Sequence, residues 1–237
     1  MSLVNSIRGK LAMFALAAVP ALPSNEPIRV TRADVDWSNE KVSMAYGALA
    51  DMWTKEFQSV GERFVVPRVV RYRGNALTAC GMISANNAQY CQANNAIYYD
   101  EVFVAGMAKI AAENLRTDGD MTGIGIIAHE MGHAVAMQLG YRSRNSYDNE
   151  KTADCLAGAF AYQAERDKSL EPGDEEEAIF GMSMAGDPEV GSTGDARYDR
   201  LVQMRMQRQA HGTREQRVAN FREGFSRGPG ACLPDFR

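Results

Sequence analysis

His129-Glu130-Met131-Gly132-His133 is the stretch of this chain whose residue types and spacing carry a chemistry. Residues four apart on an α-helix share a face, so both imidazoles point to one spot. Two neutral histidine nitrogens at that spacing supply half of a tetrahedral Zn²⁺ shell. Glu130 then stands beside the metal, where a carboxylate can take a proton from water. The flanks suit a helix: residues 121–128 are apolar or small, residues 134–139 continue the pattern, and Gly140 supplies a stop. The competing reading is a buried helix whose two histidines are hydrogen-bonded core residues.

The third ligand follows by elimination. The one other histidine is His211, far downstream, and the positions three and six after His133 hold Ala136 and Leu139. That excludes a metzincin, which needs Gly and His there. A carboxylate on a second helix remains, and Glu150 and Asp154 are also four apart. Glu150 completes a shell of two histidines and one carboxylate, leaving a fourth position for water. Asp154 accepts the ring N–H of a ligating histidine and fixes its tautomer. Asp154→Ala is therefore expected to weaken zinc binding while leaving the fold intact. Against this stands an ordinary helix start, where the dipole favours acidic residues.

Several elements must position these groups. Residues 38–60 carry Val42, Tyr46, Leu49, Trp53, Phe57 and Val60 at helical spacing, an amphipathic helix explained by core packing. Residues 65–73 read as a strand with Pro67 near its edge, and residues 96–99 as another. Helices are expected over 102–114, 123–139, 150–165 and 213–225. Ala157, Gly158 and Ala161 are small enough to let the second metal helix approach the first. The acidic run from Pro172 to Glu177 is a dipole-complementing helix start.

Composition bounds the function. The 237 residues, 45% hydrophobic, can bury one full core, and no repeat or linker divides them. A net charge of −4 with intermixed signs argues against nucleic acid as partner. The Arg-rich stretch from Arg197 to Arg222 reads as the solvated face of a helix. Cys80 and Cys91 enclose a short Asn- and Gly-containing segment that suits a disulfide-closed loop. Cys155 and Cys232 could pin the tail to the core, with a buried free thiol at Cys155 as the alternative. Two bridges imply an oxidising compartment, hence an extracytoplasmic protein: periplasmic, secreted or membrane-anchored. Residues 1–35 form an N-terminal segment with an apolar run at 11–22. It reads as a docked helix or a signal peptide, and offers a route to membrane association.

Four blocks together resemble the neutral zinc metallopeptidases of bacteria. Ala79-Cys80-Gly81, Tyr90-Cys91 and residues 96–100 look like the segment upstream of that family's active helix. Residues 128–135 match the active helix, residues 153–158 the second metal helix, and residues 211–218 with 221–225 and Cys232 the C-terminal signature. The likeness covers about residues 40–235. A Pro often follows the second Cys in the family, where this chain has Gln92 and Ala93.

The resemblance implies an α+β, mainly helical zincin-like domain over residues 36–237, with a small sheet beside the active-site helix. It also implies Zn²⁺ as cofactor and hydrolysis of a peptide or protein substrate. In zincins the strand nearest the active helix lies antiparallel to substrate, and residues 96–99 are the expected strand here. Zinc held by His129, His133 and Glu150 would activate water and polarise the carbonyl, with Glu130 as general base. A donor to the developing oxyanion is also needed. His211 is the nominee, with Tyr198 behind it, unless His211 caps the helix near Thr213. Two other functions compete: a catalytically idle zinc- and peptide-binding module of the cell envelope, and a structural protein with an accidental motif. The intact Glu130 argues against the first, and the Glu150/Asp154 spacing against the second.

Overall fold

The computed structural model describes residues 29–143, 145–187, 194–197, 199–200 and 211–236. The expected N-terminal apolar run and Tyr198 lie outside them. Helix α1 (Arg32–Ser59) opens on a capping box, in which Thr31 accepts from the Asp34 amide and the Asp34 carboxylate accepts from Thr31. It buries Val35, Val42, Leu49, Trp53 and Phe57, one stripe at helical spacing. Residues 32–35, assigned from sequence to the N-terminal segment, are its first turn.

Five short strands follow: β1 (Arg68–Tyr72), β2 (Ala76–Thr78), β3 (Gly81–Ile83), β4 (Ala88–Cys91) and β5 (Ala96–Asp100). β2 and β3 form a separate hairpin, and the main sheet has the order β1-β5-β4. β5 pairs in parallel with β1 and antiparallel with β4. The strand expected to receive substrate, residues 96–99, is therefore the central one. Both its edges are occupied, and the sheet's edge strands are β1 and β4. β5 runs directly into α2 (Glu101–Leu115), whose N-cap, Asp100, accepts from the Val102 amide.

Helix α3 (Asp120–Gln138) carries the His129–His133 motif and is buried nearly all round, as a helix without a polar face must be. Its N-terminus lacks a cap of its own. Glu177 of α5 (Asp174–Met184) supplies one, accepting from the Gly119 and Met121 amides. Helix α4 (Ser146–Arg166) starts a turn earlier than the sequence suggested, capped by Asn145 on the Asp148 amide. Glu150 thus sits in its second turn, where dipole preference for acidic residues has faded.

Helix α6 (Arg214–Arg227) and the short α7 (Pro229–Cys232) complete the described chain. Gly132 brings α3 against α4, since a Cβ there would come within 2.8 Å of the Ala153 carbonyl oxygen. Gly158, expected to serve that contact, faces α6 instead. Its Cβ would lie 1.9 Å from the Phe221 oxygen, and one on Gly224 would lie 1.8 Å from the Cys155 oxygen. Disulfides join Cys80 to Cys91 and Cys155 to Cys232, and no cysteine is free. Among the described residues no helix is long and apolar enough to cross a membrane.

Candidate metal centre

The α3–α4 crossing at Gly132 aligns the face of His129 and His133 with that of Glu150 and Asp154. One ligand atom from each of His129, His133 and Glu150 lies within 4.8 Å of the others. His129 Nε2 is 3.2 Å from Glu150 Oε2, and His133 Nε2 is 3.5 Å from Glu150 Oε1. The two rings stand edge to face, with centroids 4.7 Å apart. Two imidazole nitrogens and a carboxylate converging on one point are the donor set zinc prefers, so these residues fit the ion.

Asp154, wholly buried, lies 2.9 Å from His129 Nδ1 and turns Nε2 of that ring toward Glu150. His133 Nδ1 is buried with no partner among the described residues, so the carboxylate acts on one imidazole only. Burial and the Arg217 charge push the His129 imidazole down, but hydrogen bonds to Asp154 and Glu150 outweigh both and hold it up to about 10. Burial and then the charge on His129 push His133 down. Burial would raise Glu150, yet His129, His133 and Arg217 hold it down to about 2.

Arg217 is the residue that sequence reasoning missed. Its Nη2 meets Asp154 Oδ1 at 2.6 Å and its Nε meets Oδ2 at 3.1 Å, a bidentate pair. Nη2 also lies 3.2 Å from His129 Nδ1 and 4.0 Å from Glu150 Oε2. The Arg-rich stretch is thus not wholly a solvated face: Arg214 and Arg222 are exposed while Arg217 is buried. Its spacing to Phe221 and Gly224, both buried, was the available signal, because an arginine stood at a core position of an amphipathic helix. The pairing also corrects the expectation for Asp154→Ala, which would strand a buried guanidinium and cost stability.

Glu130 is buried in the same cleft, where its Oε2 accepts from the Tyr90 amide of β4 at 2.7 Å. The Asp100 amide donates to the Asn87 oxygen, so the β4–β5 register turns the backbone groups of Gln89 toward β5 and those of Ala88 and Tyr90 toward the cleft. The cleft holds about 690 Å³. His211 lines it but is largely exposed; its amide donates to Asp187 Oδ2 and its Nδ1 lies 3.3 Å from Oδ1. It is not the helix cap, because Thr213 fills that role in a capping box with Gln216.

A second acidic group, Asp118, Asp120, Asp174 and Glu177, is otherwise committed. The Lys41 ammonium lies 2.6 Å from Asp120 and 3.4 Å from Asp118, and Glu177 caps α3. It reads as a structural network.

Comparison with known proteins agrees with this geometry. The family described as "Putative neutral zinc metallopeptidase" matches residues 21–235, a span that begins earlier than the motifs alone indicated. "Uncharacterized protein YpfJ" of Escherichia coli strain K12 is 32% identical over 212 residues, covering 80% of this chain and 69% of the relative. Its counterpart in Escherichia coli O6:H1 matches to the same extent. No solved structure matches the chain. A family match over nearly the whole length, together with relatives of this identity and coverage, makes the chain a member of the neutral zinc metallopeptidase family.

Proposed function

We propose that the protein is a zinc-dependent peptidase that cleaves peptide bonds with Glu130 as general base. The observation that carries this reading is the convergence of His129, His133 and Glu150 in a cleft that Glu130 and the free edge of β4 share. Zinc bound there would lower the pKa of water and polarise the scissile carbonyl. The Tyr90 amide holds one oxygen of Glu130 and leaves the other to take a proton from the attacking water. Water oxygen bonds to the carbonyl carbon, the C–N bond breaks, and Glu130 passes its proton to the leaving amine. His211, held by Asp187 at the rim, is the donor we assign to the developing oxyanion. With the Tyr90 amide engaged, the edge offers carbonyls to an extended peptide, whose own N–H groups donate to them. The two disulfides suit an oxidising compartment and support an extracytoplasmic location.

The test combines metal analysis with a general peptidase assay on wild type and Glu130→Gln. One zinc per chain is expected in both, with turnover reduced by about 10²- to 10⁴-fold in the variant. Zinc without turnover in wild type would identify the idle peptide-binding module instead. Absence of zinc binding would refute the site.

A further inference from the structure

Residues 63–99, which span the sheet and its separate hairpin, carry four arginines and no lysine, aspartate or glutamate. The stretch is +4 in a chain whose net charge is −4, so the remainder of the chain carries −8. Arg73 is answered by Glu101 at the start of α2, which also accepts from Asn39. Arg63, Arg68 and Arg71 are exposed, and none of them has an ion-pair partner among the described residues.

The β2–β3 hairpin follows directly on the last of these arginines. Within residues 76–83 only Ile83 is buried. Leu77 and Met82 are paired directly across the two strands, which puts both side chains on one face. They are 79% and 70% exposed, the two most exposed large apolar side chains among the described residues. The Cys80–Cys91 bridge ties the turn between the strands to the end of β4, so the pair stands on a braced ridge. A projecting ridge gives a folded partner no pocket to fill, and apolar contacts between proteins depend on such fitted pockets. The acyl boundary of a bilayer accepts apolar side chains without a fitted surface, and anionic headgroups supply the charge that unpaired arginines attract.

We infer that the β2–β3 hairpin docks the protein on an anionic phospholipid surface. Leu77 and Met82 enter the acyl boundary, and Arg71, with Arg68 and Arg63 behind it, is drawn by the headgroup charge. The inference goes beyond the peptidase reading and does not depend on it. Each arginine near the surface strengthens binding about 5-fold, and the attraction reaches about one Debye length, so direct contact with phosphate is not required. The same surface repels the negative remainder of the chain, which leaves one favoured orientation. Cys80, in the turn of the hairpin, lines the metal cleft, so that orientation holds the rim of the cleft at the bilayer.

The experiment floats the full chain with vesicles of phosphatidylcholine alone, or of phosphatidylcholine and phosphatidylglycerol in equal parts. Binding should favour the anionic vesicles by at least about 10-fold and fall as NaCl rises from about 0.1 M to about 1 M, which shortens the Debye length from about 10 to about 3 Å. Leu77→Glu/Met82→Glu should lower binding to the anionic vesicles at least about 10-fold at unchanged zinc content and thermal stability, since both positions are exposed. The apolar run at residues 11–22 could hold the chain on lipid by itself, so a local readout is needed. Met82→Trp should gain a blue-shifted emission on anionic vesicles that lipid brominated in its acyl chains quenches beyond the wild-type level. Failure to bind anionic vesicles, equal binding to both kinds, or binding that the glutamate pair leaves unmoved overturns the inference. So does vesicle binding without added quenching at position 82, which would place another segment on the lipid. None of these outcomes touches zinc content or turnover, on which the peptidase reading stands.

Discussion

Asp154 has two partners, and removing it should have two separable effects. Its carboxylate is fully buried, holds the His129 ring through Nδ1, and pairs with Arg217 through both oxygens. Asp154→Ala leaves the Arg217 guanidinium buried without its counter-ion, a loss of about 3 to 5 kcal/mol. It also frees the His129 ring, which should weaken zinc about 10- to 100-fold. The double variant Asp154→Ala/Arg217→Met removes the stranded charge as well. It should recover at least about 2 kcal/mol of the lost stability and none of the lost affinity. Denaturant unfolding with a chelator present reads the first effect without the stabilisation that bound zinc adds. Zinc affinity by competition with a chelating dye reads the second. If the double variant binds zinc like wild type, Asp154 does not orient His129. If it is no more stable than the single variant, Arg217 does not depend on Asp154, and the account of the buried pair fails.

Three further expectations concern the frame around the site. Burial pushes the Asp174 carboxyl up to about 6, so folding favours its protonated form. Stability from this group is complete below its unfolded value near 3.8 and is lost as pH rises through 6; Asp174→Asn should therefore gain about 2 kcal/mol over wild type at pH 7.5, with the gap closed by pH 4, in denaturant midpoints compared at each pH. Gly158→Ala drives a methyl into the Phe221 carbonyl and should cost about 2 to 3 kcal/mol, whereas Gly47→Ala on the open face of α1 should gain about 0.5 to 1 kcal/mol; equal effects in thermal unfolding would discount the α4–α6 contact. Replacing the Cys155–Cys232 pair by alanines should cost about 4.5 kcal/mol and the Cys80–Cys91 pair about 3 kcal/mol in chain entropy, from closed separations of 77 and 11 residues; four titratable thiols in denatured, unreduced protein would refute both bonds.

The metal triad could be read from sequence because each half is local. A helix fixes which residues share a face, so His129/His133 and Glu150/Asp154 announced themselves at a spacing of four. What joins the halves is not local. Arg217 lies 63 residues from Asp154, and only the Gly158–Gly224 crossing brings them together. Two strands, expected over residues 65–73 and 96–99, are present as β1 and β5, but the other three could not be read for a related reason. β2, β3 and β4 are three or four residues long, too short for an alternation to show, and their pairing depends on distant partners. The resemblance to zincins points to residues 96–99 as the strand beside substrate, and they are largely apolar. That same apolarity marks a strand buried between two others, while the edge that meets Glu130 begins in the Asn-containing segment ahead of Cys91.

Charge and donor type together explain why this cluster suits one class of ion. Three carboxylates, Glu130, Glu150 and Asp154, are gathered in a space closed to water on most sides. One guanidinium, Arg217, answers them, and the bidentate geometry commits it to Asp154. Taken as ionised, these four groups leave a deficit of two charges, centred where the atoms of His129, His133 and Glu150 meet. A buried charge of that size is tolerated only when something compensates it. The upward pull on the His129 imidazole is the same demand met within the chain, for a proton there offers Glu150 and Asp154 a cation. A proton supplies half of what is missing, and a divalent ion supplies all of it. Charge alone would admit Ca²⁺ or Mg²⁺, but both take oxygen ligands, six to eight for one and a strict octahedron for the other. Two imidazole nitrogens and one carboxylate reject them and favour Zn²⁺. Arg217 thus has a place in the metal chemistry: by supplying one positive charge against three carboxylates, with its bidentate contact on Asp154, it keeps the remaining deficit at the value a divalent ion fills.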